Sequence, residues 1–241
     1  SDSSLPVRIY CSMGKKDRPK KNRYRAVIAI VIAGIVFLTF PRAEERNFRE
    51  LLMEDAELEL LNALCPVIAA ARDLEGLAHC CQSESGIVFI LFGDVCTISE
   101  IIDQVKSAGK LAFVHMDLVN GLSSREISVD FIRKETRADG IISTKQPQIR
   151  RAKELGLYTV HRFFVIDSAA YENVEKCTKA LRPDCVELMP GVMPKVIRQM
   201  TGKLSVPVIA GGLISDKEDI IAALDAGATA ISTTKEELWF L

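Results

Sequence analysis

The chain has no C-x-x-C pair, and its seven cysteines and three histidines nowhere fall at the spacing of a zinc site. It has no Walker loop and no G-x-G-x-x-G fingerprint, so it carries no nucleotide-binding signature. No His, Asp or Glu pair has local ligand spacing, and neither a metal nor a cofactor is expected. Net charge is almost missing as well. The 31 Lys/Arg against 32 Asp/Glu give −1, so the chain as a whole advertises no polyanion partner. An apolar run at 26–40 has 15 residues, short of the roughly 20 that cross a bilayer.

What remains is an ordinary globular composition, 48% apolar and 26% charged, in 241 residues. Several cysteines sit inside apolar runs and read as small hydrophobes, which fits a reducing compartment better than a disulfide framework. The charge is unevenly placed. Residues 1–52 hold 11 Lys/Arg and 5 Asp/Glu, net +6; residues 53–241 hold 20 and 27, net −7. The first part is therefore set apart as an N-terminal extension, and 53–241 as the folded domain. In the extension a basic stretch, 15–25, precedes the apolar run at 26–40, the order found in signal peptides and signal anchors. Three readings fit: a membrane anchor or signal, a helix buried on the domain, or a non-native upstream segment with Met53 as the true start. A cytoplasmic protein is expected, with membrane association through 26–40 as the alternative.

From Cys65 onward, short apolar runs alternate with amphipathic ones. Strands are expected at Val67–Ala71, Ile87–Phe92, Leu111–Met116, Gly140–Ser143, Tyr158–Val165, Cys185–Met189, Pro207–Ala210 and Thr229–Ser232. They are continuous rather than alternating in polarity, as suits strands covered on both faces. Between them lie helical patterns. One, at 97–109, has Thr97 or Ser99 as cap and Gly109 as stop; another, at 215–228, has Ser215 as cap and Gly227 as stop; a third, at 146–156, has Pro147 in its first turn and Gly156 as stop. Eight strand-helix units predict an α/β fold, a compact (β/α)8 TIM-barrel-like domain with little chain left for lids. "ADGIISTK" (138–145) and "AGATAISTTK" (226–235) echo each other four units apart, faintly.

In such barrels function sits where strands end. Gly211-Gly212 closes the seventh strand and Thr233-Thr234 the eighth, and the loops after these strands are the usual phosphate site. Glycines let backbone N–H groups approach an anion, threonines add hydroxyl donors, and "KEELW" (235–239) can begin a short helix with its positive end toward it. The plainer alternative is a tight turn. On the opposite rim Arg72, Lys145 and Arg162 can reach a small anion, while Asp117 and Glu187 suit sugar or glycerol hydroxyls. Salt bridges within the barrel, such as Lys145 with Asp117 or Glu187, are the alternative for each. His115 shares a side of its strand with Asp117 and is either a ligand contact or a core histidine. His161 should point toward the helices, and His79 belongs to a helix surface.

"FVHMDLVNGL", "DGIISTK", "HRFFVIDS", "VELMPGVMPKVI" and "PVIAGGLI…ALDAGATAISTT" resemble the glycerol uptake operon antiterminator regulatory proteins, in the family's order, from about Asn62 to Leu241. The resemblance implies a barrel that responds to glycerol 3-phosphate and acts on the leader of messenger RNA, so that transcription reads through into glycerol-use genes. It implies a regulator rather than an enzyme. It places Arg72, Asp117, Lys145, Arg162, Glu187, Gly211, Gly212, Thr233 and Thr234 around the ligand, with phosphate on the glycines and threonines and glycerol on the carboxylates. His161 stands where other members often have glutamine, and residues 1–52 have no counterpart in the family.

RNA contact needs bases. Arg133, Lys134, Arg137, Arg150, Arg151 and Lys153 can form one patch on units three and four, or simply a solvated helix face; no RNP-type aromatic motif accompanies them. Two other functions stay open. One is a phosphate-ester enzyme of the aldolase or isomerase type, with Lys145 forming a Schiff base and Asp117 or Glu187 as general base. The other is a metabolite-binding module with a protein partner. A homo-oligomer is compatible with any of these.

Overall fold

The computed structural model describes residues 66–240. The extension at 1–52, its apolar run and Met53 lie outside the described residues. Eight strands form: β1 Val67–Ala71, β2 Ile87–Ile90, β3 Leu111–His115, β4 Gly140–Ser143, β5 Tyr158–Phe164, β6 Cys185–Met189, β7 Val208–Gly211 and β8 Ala230–Thr233. Between consecutive strands run α1 Leu74–Gln82, α2 Ile98–Ser107, α3 Ile127–Glu135, α4 Gln146–Glu154, α5 Ser168–Leu181, α6 Pro194–Lys203 and α7 Lys217–Asp225. All strands are parallel and pair in chain order, and β8 returns to pair with β1, closing the barrel. The (β/α)8 expectation holds throughout.

Strand side chains alternate between two environments. Val67, Ala69 and Ala71, Val88 and Ile90, Ala112 and Val114, and Ile141 face outward and pack with Leu77, Ile102, Val129 and Ala152 of the helices as one buried cluster. Phe163, Val186, Leu188 and Val208 do the same against Val174, Cys177 and Met200. That dry double surface is why the strands read as unbroken apolar runs. The inward set begins with an aromatic plug. Phe89 and Phe113 lie 5.8 Å apart, and Phe113 and Tyr158 6.2 Å. A Cβ at Gly140 would stand 2.7 Å from Cδ1 of Phe113, so this plug is the reason β4 starts with glycine.

The helix ends differ from expectation in their caps. Asp73, Asp167 and Asp216 cap α1, α5 and α7, each accepting from a backbone N–H three residues on, at 2.8, 2.7 and 2.9 Å. At α7 the cap is therefore Asp216, and Ser215 instead donates to Asp219 Oδ2 at 3.0 Å. Thr97 stands at the N-cap of α2 but makes no side-chain cap bond. Asp94 supplies the acceptor there, taking the N–H groups of Cys96 and Thr97 at 2.9 Å. A carboxylate is the stronger acceptor for these N–H groups and interacts favourably with the helix dipole. The expected stops Gly109, Gly156 and Gly227 all take positive φ. "KEELW" forms a short 3-10 turn, Glu236–Phe240, that opens on two carboxylates; Glu236 bonds His79, and Trp239 Nε1 donates to the Thr233 carbonyl at 2.9 Å. This turn closes the last strand rather than presenting a bare positive end. Among the described residues no helix is long and apolar enough to cross a membrane.

Candidate functional site

The mouth of the barrel gathers the inward residues at the strand C-terminal ends. At β3, His115 and Asp117 follow one another on the inner side. Asp117 is the hub. Its carboxylate accepts from the Thr144 N–H at 2.8 Å, the Thr144 hydroxyl at 3.0 Å and the Lys145 ammonium. The loop after β4 is thus folded onto the end of β3. Burial alone would raise the Asp117 carboxyl; the bonds from Lys145 and Thr144 outweigh it and hold the group below the usual carboxylate range. The internal salt bridge weighed for Lys145 is the one that forms, with Asp117.

His115 is 3% exposed, and burial first, then the charge of Arg162, push it down to about 4. It is neutral near pH 7, so its 3.9 Å approach to Asp117 Oδ2 is no ion pair. Its Nδ1 accepts the Asp117 backbone N–H at 3.3 Å, which leaves the ring proton on Nε2.

One layer deeper, Arg162 on β5 and Glu187 on β6 are register partners. Arg162 Nε donates to Glu187 Oε2 at 2.5 Å, and Ser232 of β8 donates to Glu187 Oε1 at 2.5 Å. Glu187 is fully buried with both oxygens taken. It therefore holds Arg162 in place from below. Among the described residues the Arg162 Nη atoms make no hydrogen bond.

Gly211 fits into this chain. A Cβ there would stand 2.6 Å from Ser232 Oγ and closer still to Glu187 Oε1, while its φ is ordinary. The first glycine of the pair is thus demanded by the buried carboxylate beside it. Gly212 is different: it takes φ +76°, Leu213 follows at φ 62°, and the Gly212 carbonyl accepts the Gly191 N–H at 2.9 Å. This left-handed turn binds the loops after β6 and β7 together.

At β8 the hydroxyls divide by alternation. Ser232 points inward to Glu187, whereas Thr233 points outward, donating to the Ile214 carbonyl at 3.1 Å and accepting from the Lys235 N–H at 3.1 Å. Thr234 is half-buried at the rim and Arg72 exposed after β1. His161 faces the helices, its ring centroid 4.1 Å from that of Phe163, and burial lowers it to about 4.

Two participants were missed in the sequence: Ser232 and Gly191. Period-two counting back from Thr234 would have found Ser232; no local signal marks Gly191, whose importance lies in its approach to Gly211 and Gly212. Among the described residues no group of three His, Cys, Asp or Glu could hold a metal ion.

Half of the expected basic patch is spoken for. Arg151 is held by Asp130 at 2.6 Å and Glu154 at 2.8 Å. Arg137 lies 3.6 Å from Asp103, and the Lys153 ammonium bonds the Arg182 carbonyl. Arg133, Lys134 and Arg150 make no ion pair among the described residues.

Residues 67–239 match the family model described as glycerol-3-phosphate responsive antiterminator. The chain is 44% identical over 176 residues to YgcP of Escherichia coli K12, covering 73% of this chain and 92% of that one. A glycerol uptake operon antiterminator regulatory protein from Listeria monocytogenes superposes with TM-score 0.70 at 35% identity, over 72% of this chain and 94% of that one. A related protein from Thermotoga maritima gives 0.65 at 36% identity, over 73% and 98%.

Proposed function

The chain belongs to the glycerol-3-phosphate responsive antiterminator family, and from that premise we propose that it is a cytoplasmic sensor of glycerol 3-phosphate that binds leader RNA and lets transcription read through into glycerol-use genes. The observation that carries the ligand half is the buried Arg162–Glu187–Ser232 chain. A buried ion pair is often no more stabilising than the apolar pair that could replace it, so its presence here points to a use for the cation it holds. Among the described residues the Nη donors of that cation are not used, and its planar fork is suited to a phosphate or carboxylate.

The phosphate is taken by Arg162, the Gly212 turn and Thr234, with Arg72 at the rim. The Gly211 and Thr233 side of the turn supports this cradle from behind, as Glu187 supports Arg162. The glycerol hydroxyls meet Asp117 and Lys145, with the His115 Nε2–H as an additional neutral donor. Glycerol lacks the anion and inorganic phosphate lacks the hydroxyls, so each alone binds far more weakly than the ester.

Isothermal titration with glycerol 3-phosphate, glycerol and phosphate tests this directly. Saturable binding of the ester alone is expected, and equal binding of phosphate would sink the assignment. The RNA half is tested by gel shift with and without the ester. By linkage, any factor by which the ester changes RNA affinity must reappear as the factor by which RNA changes affinity for the ester.

The enzyme reading draws less from the geometry. A Schiff base needs a neutral, accessible amine. The Lys145 nitrogen is ion-paired with Asp117, and its side chain is 41% exposed rather than sealed from water.

A further inference from the structure

We propose that the RNA is met at the floor of the barrel, the face opposite the ligand mouth, by Arg133 and Lys134 at the end of α3 and Arg182 at the end of α5, with Arg150 and Lys176 on the flank above them. This rests on the antiterminator reading and assigns the surface it uses.

The two ends of the barrel differ in charge because the helices run antiparallel to the strands. Helix starts lie at the mouth and helix ends at the floor. At the mouth α1, α5 and α7 are capped by Asp73, Asp167 and Asp216, and first turns carry Glu75, Glu100, Glu218 and Asp219. The same face exposes Leu74, Leu118, Phe164, Ile166 and Leu213, which offer nothing to a phosphate backbone. At the floor five consecutive helices carry a base in the last turn: Lys106 in α2, Arg133 and Lys134 in α3, Arg151 and Lys153 in α4, Lys179 in α5 and Lys203 in α6.

Ion pairing then sorts these bases. Lys106 is held by Asp139 at 2.7 Å, Arg151 by Asp130 and Glu154, and Lys179 by Glu175 at 2.6 Å; Lys203 lies 3.9 Å from Glu175. Five carboxylates in this sector, Asp103, Asp130, Asp139, Glu154 and Glu175, already have a base, and Glu135 at the end of α3 makes no ion pair among the described residues. Arg133, Lys134, Arg150, Lys176 and Arg182 make no ion pair among the described residues and are exposed; Arg72, Arg125, Lys195 and Lys217 at the mouth share both properties but stand among the acidic caps and first turns. Unpaired, exposed bases are the ones that can neutralise phosphates and release counterions.

The helix ends that carry them are tied together. Arg182 takes φ 47° as the C-cap of α5, and the Lys153 ammonium grips its carbonyl, tying the end of α4 to that of α5. The Arg151–Asp130 bonds tie α4 to α3 in the same way. Two helix spacings separate the outer bases, roughly 20 Å, a span of several phosphates.

The test uses the full chain and a stem-loop RNA with a GC-rich stem and a trailing U tract, the terminator class that read-through must overcome. Affinity is measured over a range of salt in the presence of glycerol 3-phosphate. The double variant Lys134→Ala/Arg182→Asn keeps a residue tolerant of positive φ at 182. It should bind RNA at least about tenfold more weakly, with a salt slope shallower by about 2, and bind glycerol 3-phosphate as before. Lys217→Ala removes a base at the mouth and should leave RNA affinity and slope alone. An unchanged slope in the floor variant, or a loss confined to Lys217→Ala, overturns the floor assignment while leaving the antiterminator reading intact. A wild-type chain that binds this RNA neither with nor without the ester overturns both.

Discussion

Arg162 and Glu187 stand side by side on adjacent strands, Nε to Oε2 at 2.5 Å, with the carboxylate wholly out of water and its second oxygen on Ser232. Removing one partner of such a pair strands the other. Glu187→Ala should therefore cost about 3–5 kcal/mol in urea unfolding. The double variant Arg162→Met/Glu187→Leu should recover most of that stability and yet lose binding of glycerol 3-phosphate. If the double variant still binds the ester, Arg162 is not a ligand contact.

The two glycines of the turn after β7 should answer differently to alanine. At Gly211 the backbone is ordinary but the new methyl meets Ser232 and Glu187, so overpacking should cost about 1–3 kcal/mol. At Gly212 the methyl meets the far end of Met189, which can swing away, and the cost is the positive φ, about 1–2 kcal/mol. Ligand affinity should fall more at Gly212, whose turn faces the mouth. Calorimetric titration beside chemical denaturation separates the two effects, and equal losses of affinity would remove Gly212 from the cradle.

Acid should weaken the fold well before the carboxylates titrate. His115 and His161 sit at about 4 against an ordinary 6.5. Between those values the unfolded chain binds protons that the folded one does not, so stability rises with pH and is lost as pH falls from 6.5 toward 4. Each contributes roughly 2 kcal/mol of loss between pH 7.5 and 5. His161→Gln, polar and of similar reach but not titratable, should fold normally and show about half the wild-type loss. Matching losses in variant and wild type would show that His161 does not carry this dependence.

Asp117 organises its neighbours more than it offers itself. Asp117→Asn keeps the shape but weakens the hold on Lys145, and affinity for glycerol 3-phosphate should drop by at least about tenfold while unfolding shifts little. Borohydride treatment with triose phosphates should leave Lys145 unmodified, and a covalent adduct found there by mass spectrometry would favour the enzyme reading.

The barrel itself was plain in the sequence because each strand is buried on both faces. An unbroken run such as Ile87–Ile90 needs no tertiary information to be seen. Its ends were less plain. Pro207 was expected to begin β7, which starts at Val208, and Gly211 belongs to the strand rather than to the turn. The caps were missed where aspartate competed with serine or threonine nearby, because the winner depends on which side chain the incoming loop aims at the free N–H groups. Within the site, the division of Ser232 from Thr233 was available from alternation alone. The need for glycine at 211 was not, because the atoms that demand it come from β6 and β8. The basic patch shows the same limit: Arg151 and Arg150 are adjacent and alike in sequence, and only the fold places Asp130 beside one of them.

Phe89 tilted against Phe113, and Phe113 stacked on Tyr158, plug the barrel and make it a blind cup. A metabolite that enters has a single doorway and must leave by it. A macromolecule seated on the far end would not obstruct that doorway. The protein would then go on exchanging its small guest while attached to its large one, and its occupancy would follow the metabolite level continuously instead of being frozen at the moment of capture.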